Sequence, residues 1–111
     1  MTIVNRSFTY RGDIKVSKED LILARIGKKT CTIRLGELDV AKRITNLIAG
    51  DEKLKIQISK IERSWIFSEL TEQHAVSEGF NSLDQLYDDL RKYYGDIDPR
   101  QPVTVIHFEL L

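Results

Sequence analysis

The sequence predicts an α+β domain, a small mixed β-barrel flanked by short helices, on three observations. Thr30-Cys31-Thr32-Ile33-Arg34-Leu35 and the run Lys53 to Ile61 alternate apolar and polar residues with the two-residue period of half-buried strands. Ser17 with Asp20 three residues on, and Ser82 with Gln85, are the pairs that start helices. The 111 residues suffice for one core and not for two, so residues 1–111 are read as a single domain.

After a first strand, Ser17 caps a helix predicted from Lys18 to Ile26, in which Leu21, Ile22, Ala24 and Arg25 fall at helical spacing and Gly27 supplies the left-handed stop. In the strand Thr30 to Leu35, Cys31, Ile33 and Leu35 face the core, while Thr32 and Arg34 share the other side. Glu37 to Lys42 reads as a helical turn. Arg43 to Ile48 and Lys53 to Ile61 are strands joined through Gly50-Asp51-Glu52, with Leu54, Ile56 and Ile58 inward. Glu69 to Ser77 is a short helix stopped by Gly79. A second helix starts at Ser82, carries the stripe Leu83, Leu86, Tyr87, Leu90 and Tyr94, and ends at Gly95. Asp96 to Pro102 is a loop and Val103 to Leu110 the last strand.

Composition limits the function. Lys and Arg number 17 against 17 Asp and Glu, so the whole molecule exerts no strong pull on a polyanion. Charge is polarised locally: Arg25, Lys28, Lys29 and Arg34 lie in a stretch without acids, while Asp84 to Asp98 holds five aspartates. These stretches are either solvated faces or a surface that orients an anionic ligand. A single cysteine, Cys31, excludes an intramolecular disulfide, and with only two histidines no metal or other cofactor is expected. Met1 to Arg6 lacks the features of a secretory signal and no apolar run reaches the ~20 residues of a membrane span, so a cytoplasmic protein without a membrane partner is expected.

Chemistry concentrates in Gly27-Lys28-Lys29-Thr30-Cys31-Thr32-Ile33-Arg34, of the form Gly-x-Lys-x-x-Thr-x-Arg. A lysine beside a guanidinium in a dry cleft has its charged form disfavoured, and can then accept a proton from a threonine hydroxyl. The alternative is a solvent-exposed basic turn followed by an edge strand. Lys29 and Thr32 are expected outside the core on either reading.

The segment Gly27 to Gly36 resembles the signature of the ASCH domain, a branch of the PUA-like superfamily. His74-Ala75-Val76-Ser77-Glu78-Gly79-Phe80 is similar to the family's acidic residue followed by Gly-Phe, and Val103 to Leu110 is similar to its closing strand. The likeness spans Arg6 to the C-terminus, and Leu38 to Asp51 departs from the family's Val-x-x-Gly-Asp turn. The resemblance implies a cleft that binds RNA or a modified nucleoside through Gly27, Lys28, Lys29, Thr32, Arg34 and Glu78. It equally implies an amidohydrolase acting on N(4)-acetylcytidine, with Lys29, Thr32 and Glu78 catalytic, or a ribonuclease.

The remaining candidates each have a plainer alternative. Trp65, Phe67 and Phe80 are base-stacking candidates or core, and His74 shares the face of Glu78 or caps its helix. Tyr87, Tyr93 and Tyr94 are expected to pack the last helix, and Cys31 to be a buried small hydrophobe rather than a nucleophile.

Overall fold

The computed structural model describes residues 2–111. Strands β1 (Ser7–Tyr10) and β2 (Ile14–Lys15) lead into helix α1 (Lys18–Arg25). Strands β3 (Cys31–Leu35), β4 (Glu37–Val40), β5 (Ile44–Ala49) and β6 (Glu52–Ile66) follow. A 3-10 turn (Phe67–Glu69), α2 (Glu72–Ser77) and α3 (Leu83–Tyr94) precede β7 (Pro102–Leu110).

The caps form as the sequence requires. Ser17 accepts from the Asp20 N–H at 3.0 Å and Ser82 from the Gln85 N–H at 3.3 Å. Thr71 and His74 cap α2 reciprocally, the Thr71 N–H donating to His74 Nδ1 at 3.0 Å. The helix expected from Glu69 therefore starts later, and the residues before it form the 3-10 turn.

Five strands form one mixed sheet in the order β2-β5-β6-β7-β3, parallel at β2–β5 and antiparallel elsewhere. β6 is much longer than the alternation from Lys53 to Ile61 indicates, and its register against β7 shifts between Ile58 and Lys60 and between Glu62 and Trp65. Such bulges bend a strand and strengthen its twist. The sheet curls into a half-barrel flanked by short helices, as the fold class predicts, and a side chain links its two edge strands, β2 and β3: Arg34 Nη2 donates to the Lys15 carbonyl at 2.7 Å.

β1 and β4 form a separate parallel pair. The helical turn expected at Glu37 to Lys42 is thus a strand, because Leu38 is fully buried and its N–H donates to Thr104 Oγ1 at 3.0 Å. Thr104 donates in turn to the Gly36 carbonyl at 2.7 Å, which fixes β4 to β7. Gly36 is required there: its φ is +98° and an added Cβ would lie 2.6 Å from the Arg6 carbonyl oxygen.

Both faces of the sheet are covered. Cys31, Ile33, Leu35, Val103 and Val105 pack with Leu86 and Leu90 of α3, while Ile14, Leu47, Ile56, Ile106 and Phe108 pack with Leu21 and Ala24 of α1. No helix among the described residues is long and apolar enough to cross a membrane.

Candidate functional site

The open seam of the half-barrel is a cleft of about 300 Å³, with α1 and α3 as its walls. Each expected residue reaches it, or fails to, for a local reason. At the end of α1, Gly27 takes a φ of +81° and the N–H groups of Lys28 and Lys29 both donate to the Leu23 carbonyl. That tight turn points Lys29 inward, where it is only 2% exposed. Gly27 and Lys28 shape the turn and stay exposed, outside the lining of the cleft.

Glu78 ends α2, where the helix dipole disfavours a carboxylate. Two donors offset that cost: Lys29 Nζ pairs with Oε2, and the Ile33 N–H donates to Oε1 at 2.7 Å. The second bond satisfies the backbone of β3 on the side away from β7, and the Thr30 N–H does likewise by donating to the Ser77 carbonyl at 2.7 Å. The end of α2 thus covers the edge that β3 would otherwise leave open.

Thr32 and Arg34 share the other face of β3, as the alternation predicts, but Thr32 is 4% exposed. Lys29 and Thr32 are therefore buried, contrary to the expectation that both lie outside the core, because α1, α2 and α3 close over the strand. Thr32 Oγ1 accepts from Arg34 Nε at 3.0 Å, and among the described residues its own proton has no acceptor. Lys29, Thr32, Arg34 and Glu78 all line the one cleft.

The electrostatics differ from the expectation of a depressed lysine. Burial works to lower the Lys29 pKa, but the Glu78 carboxylate, with Asp20, more than offsets it and holds the ammonium above its usual value. Burial raises the Glu78 carboxyl above the usual range, opposed by Lys29 and the Ile33 N–H. For Cys31, burial pushes the thiol beyond any working range, which leaves it inert.

Sequence reasoning missed four residues of the walls: Asp20 on α1, and Asp89, Tyr93 and Tyr94 on α3. Tyr93 is 60% exposed and does not pack its helix as expected, whereas Tyr87 does. The signal was present in the spacing, since Tyr93 and Tyr94 lie three and four residues beyond the buried Leu90. Trp65, Phe67 and Phe80 belong to the core, and His74 is a capping residue.

The α+β half-barrel with a cleft at its seam has the fold of an ASCH domain. The chain resembles the ASCH domain from Lactobacillus crispatus JV V101 with a TM-score of 0.73 and 18% identity, covering 96% of this chain and 80% of that one. It also resembles protein EF3133 from Enterococcus faecalis V583 (TM-score 0.62, 21% identity, 100% of this chain and 83% of that one). A third likeness is to the hypothetical protein PH0355 (TM-score 0.60, 19% identity, 96% of this chain and 100% of that one). At these identities the likeness is one of fold. No family model and no curated protein matches the sequence.

Proposed function

We propose that the cleft binds one base or nucleoside, free or carried by RNA, in the cytoplasm. The observation that carries this reading is the buried Thr32 hydroxyl, which lines the cleft beside a guanidinium and, among the described residues, donates to no acceptor. Together they offer two donors to a carbonyl oxygen of a base. Tyr93 and Tyr94 supply aromatic surface on the α3 wall, on which a base can stack. The volume of about 300 Å³ lies at the small end of ligand sites, which run from about 300 to 1,000 Å³. It suits a single nucleoside and not a folded strand. Lys29 and Glu78 spend their charges on each other, so they form the floor of the site.

Isothermal titration at fixed salt with the four ribonucleosides and N(4)-acetylcytidine tests this reading. Arg34→Ala should weaken binding by about 10–100-fold, the worth of a charged hydrogen bond. Unchanged affinity would refute the assignment.

A second reading, an amidohydrolase, is favoured by the convergence of Lys29, Thr32 and Glu78 on the same cleft. The guanidinium bonded to Thr32 Oγ1 favours the alkoxide that would attack an acetyl amide. Lys29 becomes a base only after passing its proton to Glu78; it then takes the Thr32 proton, Glu78 gives its proton to the departing amine as the C–N bond breaks, and water hydrolyses the acetyl-threonine ester to acetate, returning the proton to Thr32. Incubation with N(4)-acetylcytidine should release acetate, and Thr32→Ser should retain rate that Thr32→Ala loses. If neither acetate nor, from RNA, shortened fragments appear, the binding reading stands alone.

A further inference from the structure

We infer that the molecule carries a second site, an anion pocket beside the first bulge of β6, which takes a phosphate group through Arg43, Lys60 and Arg63. It lies apart from the cleft and does not rest on the nucleoside reading.

A groove of about 290 Å³ is formed where the end of β4 and the residue before β5 meet the middle of β6, with Val40, Ile58 and Ile61 as its apolar part. Its polar part holds three cations, Arg43, Lys60 and Arg63, against one carboxylate, Asp39. That carboxylate is committed: Arg63 Nη2 donates to Asp39 Oδ1 at 2.7 Å, and the Val40 N–H donates to the same oxygen at 2.8 Å. Among the described residues Arg43 and Lys60 belong to no ion pair, so three cations against one carboxylate leave two positive charges unopposed. Glu62 feels the charge of Lys60 but lies outside this lining, bonded to Trp65 and His107.

The backbone brings these cations together. The Arg43 carbonyl accepts from the Ile58 N–H at 2.6 Å, which ties Arg43 to β6 just before the bulge. Against β7, Ile58 stands opposite Phe108 and Lys60 opposite His107, so Ser59 is the extra residue. Successive residues of a regular strand face opposite sides, whereas here Ser59 and Lys60 both line the groove. Like charges held at tethered positions repel one another, and a bound anion relieves that repulsion. A phosphate brings up to two negative charges, which match the surplus, and oxygens that accept from guanidinium, ammonium and the Ser59 hydroxyl together.

The test is an amide NMR titration with inorganic phosphate at constant ionic strength. The amides of Arg43, Ser59, Lys60 and Arg63 should shift and saturate with a Kd of about 1–10 mM, while those of Thr32 and Asp89 stay unmoved. Arg43→Gln/Lys60→Gln should weaken binding about tenfold or more. Lys53→Gln/Lys55→Gln removes the same charge from exposed positions outside the groove and should change affinity by less than about twofold. A ribonucleotide oligomer without terminal phosphates then separates the sources. Saturation of the same amides below the phosphate concentration assigns the site to an RNA backbone, and no shift assigns it to free phosphate or a phosphomonoester. Phosphate shifts that are absent or never saturate, or an equal loss in both double variants, would overturn the inference and leave the nucleoside reading intact.

Discussion

Two glutamates of this molecule each accept two hydrogen bonds, yet their acidities move in opposite directions. Glu62, on β6, accepts from Trp65 Nε1 at 2.8 Å and pairs with His107 Nε2. Burial acts to raise its pKa, but these two bonds prevail and the carboxyl falls below the usual range. Glu78 has an ammonium and a backbone N–H, donors at least as strong, and is nevertheless raised because it is buried completely. Depth decides between them. A half-exposed carboxylate gains from its partners, whereas a buried one needs its partners to be tolerated at all. Glu62 is therefore a fastening of the β6 bulge, while Glu78 and Lys29 are a costly pair kept under a cleft.

The largest test of that contrast is stability. Glu78→Gln leaves the Lys29 ammonium buried without its counter-charge and should cost about 3–5 kcal/mol in urea denaturation. Glu62→Gln weakens two exchangeable bonds and should cost about 1–2 kcal/mol. Equal losses would break the comparison.

Removing both charges sharpens it. Lys29→Met combined with Glu78→Gln should recover most of the loss seen with Glu78→Gln alone, since no unpaired charge remains, to within about 1–2 kcal/mol of the parent. A double variant as unstable as the single one would mean that the pair is needed for packing and not for charge balance.

The pH dependence of the Glu62 contribution has a definite sign. Its carboxyl is depressed in the folded state, so its stabilisation is complete above the ordinary value of 4.5 and is lost as pH falls through the depressed value. The stability gap between the parent and Glu62→Gln should shrink over that acid range and stay constant at neutral pH. A gap that widens toward acid would contradict the assignment.

The smallest effect on stability, with a clear effect on binding, is expected at Tyr93. Because its ring is exposed, Tyr93→Ala should alter stability by no more than about 0.5 kcal/mol. Its loss as a stacking surface should weaken nucleoside binding by about fivefold or more.

What the sequence made legible follows from range. The caps at Ser17 and Ser82, the stop at Gly27 and the alternation through Cys31, Ile33 and Leu35 act within a few residues, and each appears where expected. β4 was not legible, because its partners are β1, about 30 residues earlier in the register Phe8 to Leu38, and the Thr104 hydroxyl, 66 residues away. The site divides the same way. Thr32 and Arg34 lie on one side of β3 by periodicity alone, but the pairing of Lys29 with Glu78 spans 49 residues. The depth of that pair depends on three helices closing over the strand, and a sequence pattern records polarity better than depth. Asp20 was visible only as a helix-cap partner, and Asp89 and Tyr93 only as the polar and apolar sides of α3.

The central claim is that a nucleoside enters the seam between β2 and β3. The most direct measurement is a nitrogen-resolved amide NMR titration with the tightest-binding nucleoside. The amides of Thr32, Ile33 and Arg34 should shift together with those of Asp89 and Tyr93, while those of Gly50 and Asp51 at the turn between β5 and β6 stay unmoved. Shifts confined to the β5–β6 face, or no shifts at saturating ligand, would contradict the account.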